Sequence, residues 1–160
     1  MLDRLDQLLN THKKILFAGV GNVLRQDDAV GVYICERIKQ NGHIQSLVVG
    51  QSIENYIGKI QQINPDILVV IDCVDFNKPP GEAFLILLDD LLDYTSNTHN
   101  ISFKTLSRFF DMPVQILGIQ PQNVDYGEGM SLRIQEAAEK MIDIINSMWE
   151  FETCGFNEEL

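Results

Sequence analysis

Four side chains combine a reactive type with a telling position. Asp27 and Asp28 follow a glycine turn, Asp72 closes an apolar run, and His99 stands in the polar stretch Thr98-His99-Asn100. Asp28, Asp72 and His99 together offer two carboxylates and one imidazole, a donor set for a Zn²⁺-like or Ni²⁺-like ion with an open position. Asp27 is then the nearest spare carboxylate for general-base work. Each residue also has a plainer use. An aspartate at a helix start caps it and complements its dipole, worth roughly 0.5–2 kcal/mol. One aspartate fills that role, so a second beside it invites a cation or a proton; capping and ion binding both stand. Asp72 alone reads as a turn residue, as does Asp75 three positions on.

The turn Gly19-Val20-Gly21-Asn22 begins like a dinucleotide fingerprint, strand then G-x-G then helix. Leu24 stands where the third glycine belongs, and Asp27 and Asp28 sit where a phosphate would meet the helix N-terminus. Two carboxylates repel that phosphate, which argues against nucleotide binding. Nucleophile readings are also weak. Cys73 is flanked by Asp72 and Asp75, and negative neighbours disfavour the thiolate. There is no G-x-S-x-G elbow. His12 and His43 fall in polar, turn-like surroundings.

For the four residues to meet, they must stand on connections at one edge of a sheet, and the periodicity supplies such a sheet. Leu2, Leu5, Leu8 and Leu9 line one face of a short N-terminal helix. Strands are expected at Ile15 to Val20, Ile44 to Val49, Ile67 to Asp72, Ala83 to Leu88 and Val114 to Ile119. Between them fall helices from Asp27 or Asp28 to about Gln40, closed by Asn41-Gly42, and from Ser52 to about Ile63, stopped by Pro65. A short helix spans Asp89 to Tyr94, a polar loop Thr95 to Asn100, and a helix capped by Ser102 runs to about Asp111. Ser131 caps the last helix, with Ile134, Ala138, Met141, Ile145 and Met148 on one face, and the acidic tail after Trp149 is expected to be loose. This alternation predicts an α/β fold, a three-layer α/β/α sandwich with a mostly parallel central sheet of about five strands, in one domain over residues 1–160. Ligands of such sheets bind beyond the carboxyl ends of the strands.

Composition narrows the partners. The 160 residues are 45% hydrophobic and 22% charged, as in ordinary globular chains. Twelve basic against 23 acidic residues give a net charge of −11. That balance opposes binding to nucleic acid or an anionic membrane surface. The longest apolar runs are far shorter than a membrane span, and no secretory signal is visible at the N-terminus. Cys35, Cys73 and Cys154 are odd in number and lack metal-ligand spacing, which points to a reducing, cytoplasmic setting.

Several spaced blocks resemble the hydrogenase maturation endopeptidases, which trim nickel-iron hydrogenase large subunits. The blocks are Gly19-Val20-Gly21-Asn22 through Asp27-Asp28 and Gly31, then Val70-Ile71-Asp72 with the Pro79-Pro80-Gly81-Glu82 turn, then Thr98-His99-Asn100, then Leu117-Gly118-Ile119-Gln120-Pro121. The likeness runs from about Ile15 to Met148; Ala29 stands where the family often has glycine. The resemblance implies that Asp28, Asp72 and His99 form a metal-binding trio. Gly21, Asn22 and Asn100, in the same blocks, are the expected substrate contacts. It also implies a monomer that removes the C-terminal extension of a large-subunit precursor after nickel insertion. The nickel would be supplied by the substrate, with zinc or another divalent ion able to substitute. Two other readings remain at this stage: a non-catalytic, metal-dependent checkpoint module for the same precursor, and a nucleotide-binding α/β protein.

Overall fold

The computed structural model describes residues 2–94 and 106–154. Its centre is a five-stranded sheet in the spatial order β2-β1-β3-β5-β4. The strands are β1 (Ile15–Val20), β2 (Ile44–Gly50), β3 (Ile67–Cys73), β4 (Ala83–Leu87) and β5 (Val114–Ile119). β1 pairs in parallel with β2 on one side and β3 on the other, through Ile15 opposite Ile44 and Ile67. β3 continues in parallel to β5, and β4 closes that edge antiparallel, Ala83 opposite Ile119. The chain leaves β1 towards β2 and leaves β3 towards β4 and β5. The strand order therefore reverses between β1 and β3, the switch point where open α/β sheets form their binding crevice.

Helices cover both faces: α1 (Leu2–Leu9), α2 (Val30–Arg37), α3 (Ile57–Ile63), α4 (Leu88–Tyr94) and α5 (Leu132–Cys154). Alternation along the strands divides the core in two. Ile15, Phe17, Val69 and Ile71 face α1, α2 and α5, where Leu5, Leu8, Leu9, Ile34, Ile134 and Ile145 are buried with them. Leu16, Ala18, Leu68 and Val70 face the other way, onto Ile53, Ile60, Leu91 and Leu106. The three-layer arrangement is the one expected from the alternation of elements.

Some element ends differ from the sequence reading, for tertiary reasons. The helix expected from Asp27 or Asp28 to Gln40 is a 3-10 turn over Gln26–Ala29 followed by α2, which ends at Arg37 when Ile38 turns extended. Asn41 closes no helix; its side chain accepts the N–H groups of His43 and Ile44 and starts β2. Ser52 makes no side-chain cap, and a second 3-10 turn, Ile53–Tyr56, precedes α3. α3 ends where Asn64 adopts a left-handed φ of 50°, so the stop signal lies one residue before Pro65. The last helix does not loosen after Trp149 but continues to Cys154. The Thr95–Asn100 loop and the Ser102 cap lie outside the described residues.

The amino end of α2 rests directly on the sheet. A Cβ built on Gly31 would lie 2.3 Å from both the Val20 and the Ile71 carbonyl oxygens, and one on Gly19 would lie 2.4 Å from the Gly31 oxygen. No side chain fits in this gap, because the obstacles are backbone on both sides. The contact sets the height of the turn carrying Asp27 and Asp28 above the ends of β1 and β3. Overpacked cores lose about 1–3 kcal/mol, and more where backbone must shift. Gly31→Ala is therefore expected to cost about 3 kcal/mol or more, read as a lowered urea midpoint; an unchanged midpoint would contradict the contact.

Candidate active site

The cleft at the switch point is lined by Val20, Gly21, Asn22, Arg25, Asp28, Gln51, Asp72 and Cys73, and holds about 130 Å³. Four of the residues singled out in the sequence, Gly21, Asn22, Asp28 and Asp72, thus meet in one place. The turn after β1 is held open by short-range bonds. Gly21 N–H donates to the Gly50 oxygen, and the Asn22 side chain accepts the Leu24 N–H at 2.9 Å. Asn22 N–H in turn donates to Asp28 Oδ2 at 3.1 Å. Asp28 therefore braces the glycine turn, and no side-chain cap bond is formed at the start of either the 3-10 turn or α2.

Asp72 is the penultimate residue of β3 and is buried, its Oδ1 accepting the Cys73 N–H at 2.7 Å. Burial, and next the charge of Asp28, push its carboxyl well above the usual carboxylate range, against the Cys73 hydrogen bond. Neither aspartate has a salt-bridge partner among the described residues. Two like charges facing one small cleft are the condition that a divalent cation relieves. The pair supplies two oxygen donors, and no group of three or more His, Cys, Asp or Glu side chains among the described residues is arranged to hold a metal. A third donor must come from elsewhere. His99 and Asn100 lie outside the described residues.

Asp27 is placed differently from the expectation. It is fully buried, and four donors converge on it. Gln122 and Asn123 N–H groups reach Oδ2 at 2.8 Å each, Ser131 N–H reaches Oδ1 at 2.7 Å, and Ser131 Oγ lies 2.8 Å from both oxygens. Its lone pairs are committed to the chain between β5 and α5, and it does not line the cleft. In this placement the residue pins two loops together. Asp75, as expected, is a turn residue, accepting the Asn77 N–H and the Gln120 amide. The Cys73 thiol lines the cleft, but burial and then the Asp72, Asp28, Asp27 and Asp75 charges raise its pKa, so it is a poor nucleophile.

Two cleft residues escaped the sequence reading. Gln51 directly follows β2, and its position at the carboxyl edge is a signal that goes unused when only charged residues are scanned. Arg25 sits inside the glycine-rich block, where its charge is easily credited to the surface. Its Nε donates to the Val124 oxygen at 3.1 Å, and its guanidinium carbon stands 5.6 Å from the Tyr126 ring centre.

With this geometry in view, the chain was compared with known proteins. The family model described as hydrogenase maturation protease matches residues 32–148. This chain belongs to the hydrogenase maturation protease family. A Methanocaldococcus jannaschii protein provisionally named a hydrogenase maturation protease is 30% identical over 90% of this chain and 95% of its own length. The crystal structure of the nickel-iron hydrogenase maturation protease HycI from Thermococcus kodakarensis superposes with a TM-score of 0.78 at 25% identity. It covers 92% of this chain and 99% of that one. The endopeptidase HycI of Escherichia coli gives 0.70 at 26% identity, over 86% of this chain and 91% of that one. The hydrogenase maturation protease described here is accordingly a peptide-bond hydrolase with the family's α/β fold, and the reading as a non-catalytic module gives way.

The two neighbouring aspartates should respond oppositely to the same change. Asp27→Asn turns an amide NH₂ towards N–H donors and leaves buried groups unpaired, at about 1–3 kcal/mol. At 2–4 °C per kcal/mol for a chain this size, the melting temperature should fall by roughly 2–12 °C. Asp72→Asn keeps the Oδ1 acceptor and removes a buried charge, so the metal-free protein should melt a few degrees higher at neutral pH. The sign follows from linkage. Asp72's folded pKa is raised, so its ionisation penalty is absent below the unfolded-chain value and grows as pH rises towards the folded value. Thermal melts of the two variants between pH 4 and 8 check this; a stabilised Asp27→Asn or a destabilised Asp72→Asn would reverse the assignment.

Proposed function

We propose that this protease removes the C-terminal extension of a nickel-iron hydrogenase large-subunit precursor once nickel has been inserted, using the substrate's own metal for recognition. One observation carries the reading: Asp28 and Asp72 face a single cleft at the switch point with no compensating ion pair among the described residues. A divalent cation bound between the two carboxylates would relieve their repulsion. The relatives' names supply the substrate class, hydrogenases, and for one of them the nickel-iron type.

In this reading Asp28 and Asp72 bind the ion carried by the precursor, with His99 as the third donor that the pair lacks. Zinc or another divalent ion can take the same donors in vitro. A bound divalent ion supplies Lewis acidity, polarising a carbonyl or lowering the pKa of water towards ~7. The chain's own contribution is placement. Asn22 N–H fixes Asp28, the Cys73 N–H fixes Asp72, and Gly21 lets backbone approach without a side chain in the way. General-base work passes from Asp27 to the cleft carboxylates themselves. Two free thiols, Cys35 and Cys73, suit a reducing compartment and a cytoplasmic site of action. Burial pushes the Cys35 thiol up to about 12, which makes it inert there.

The direct test is incubation with a nickel-loaded precursor followed by intact-mass measurement, with Asp28→Asn and His99→Ala in parallel. The parent should release one C-terminal peptide, and both variants should fold but cleave about 100-fold more slowly, the upper end of what losing even an outer-shell partner of a metal ligand costs. Parental rates from either variant would remove that residue from the site, and no cleavage by the parent would refute the reading.

A further inference from the structure

The cleft is too small to recognise a protein on its own. Its volume of about 130 Å³ is well below the ~300 Å³ at which ligand pockets begin. Selectivity for one precursor must therefore come from surface beside the cleft, and the loops at its lip carry an unusual surface. Val23 is 55% exposed, Leu24 57% and Tyr126 82%; these are three of seven exposed large hydrophobic side chains among the described residues, gathered on two touching loops. The contact between the loops is direct. Gly127 N–H donates to the Leu24 oxygen at 2.9 Å, and Gln26 N–H donates to the Gly127 oxygen at 3.0 Å, forming a short parallel bridge.

These apolar groups are displayed on a braced shelf. Asp27 holds Gln122, Asn123 and Ser131 from beneath, and the Arg25 side chain ties to Val124 and stands over Tyr126. Arg25 also lines the cleft, so the shelf and the aspartate pair share a wall. Nε is the only side-chain atom of Arg25 with a hydrogen bond among the described residues. The guanidinium NH₂ groups can donate to a carbonyl or carboxylate of an incoming chain. Exposed apolar side chains cost little to immobilise when their backbone is already fixed, which is the economy that good docking surfaces show.

We infer that Val23, Leu24 and Tyr126, with Arg25 at their inner edge, form the docking platform for the precursor: an apolar, extended segment flanking the scissile bond. The inference rests on the proposed peptidase substrate and goes beyond it by naming the surface that selects the substrate. The occupant follows from continuity with the cleft, since Arg25 belongs to both the platform and the wall of the cleft in which a peptide bond would meet Asp28 and Asp72. It follows also from charge, since the platform places one cation beside apolar area in a chain of net charge −11.

Steady-state cleavage of a nickel-loaded precursor by the Leu24→Ser/Tyr126→Ser double variant provides the test, with thermal melts to verify folding and sedimentation to fix the oligomeric state. Leu87→Ser, at a site 51% exposed on the edge strand β4, serves as the comparison. The platform variant should raise KM at least tenfold with kcat within about twofold of the parent, while Leu87→Ser leaves both unchanged. Tyr126→Phe should restore most of the loss in the Leu24-containing background, since the ring and not the hydroxyl makes the platform. Cleavage by the parent with an unchanged KM in the double variant would overturn the platform and leave the peptidase reading intact. A fall in kcat alone would also overturn it, as would an equal KM rise in Leu87→Ser. A parent dimer that the double variant converts to monomer would overturn it too, by seating a second copy on the shelf. No cleavage by the parent would refute the peptidase reading itself.

Discussion

The buried carboxylate of Asp27 is the interaction on which the carboxyl edge of this protein depends. A fully buried charge is tolerated only when hydrogen bonds replace its lost water, and here three backbone N–H groups and one hydroxyl do so. Because those donors belong to the segment between β5 and α5, satisfying one side chain fixes two loops and the start of the longest helix together. The neighbouring Asp28 is thereby aimed into the cleft. The doubled aspartate is a division of labour, with one residue spent on architecture and the other left for chemistry.

The cleft shows the opposite accounting. Asp72 is buried with few bonds and a like-charged neighbour, an arrangement that burdens the fold when nothing cationic is bound. Active sites commonly hold such strain because surrounding structure can absorb it. Here the absorbing structure is the sheet itself, since Asp72 is the sixth residue of a strand whose first five are buried on both faces. A marginal loop could not hold two carboxylates together; a central parallel strand can.

Much of this was legible before any coordinates. Period-two and period-3.6 patterns placed all five strands and the leucine face of α1, because burial on a regular element leaves a local trace. Asp28 and Asp72 could be assigned to one edge because each trails a strand in a parallel sheet. What escaped was non-local. The partners of Asp27 lie 95 to 104 positions away, so nearby sequence suggested capping or proton transfer and gave no sign of its role in pinning loops. α2 stops at Arg37 because Ile38 turns into the core, a demand of packing that outranks the Asn41-Gly42 signal. Arg25 and Gln51 went unnoticed because a polar residue in a loop carries no mark of which way it points.

The contact of Gly19 and Gly31 also bears on how such a protein can drift. Where helix and sheet meet through side chains, each substitution moves the interface slightly, and neighbours must compensate. Here the contact is mainly carbonyl against glycine, with the Cys35 side chain beside Gly19. Its geometry is insulated from changes in the rest of the core. This chain and the Thermococcus kodakarensis protein share only 25% identity and still superpose with a TM-score of 0.78. At Gly19 and Gly31, by contrast, any added side chain would have to displace backbone itself.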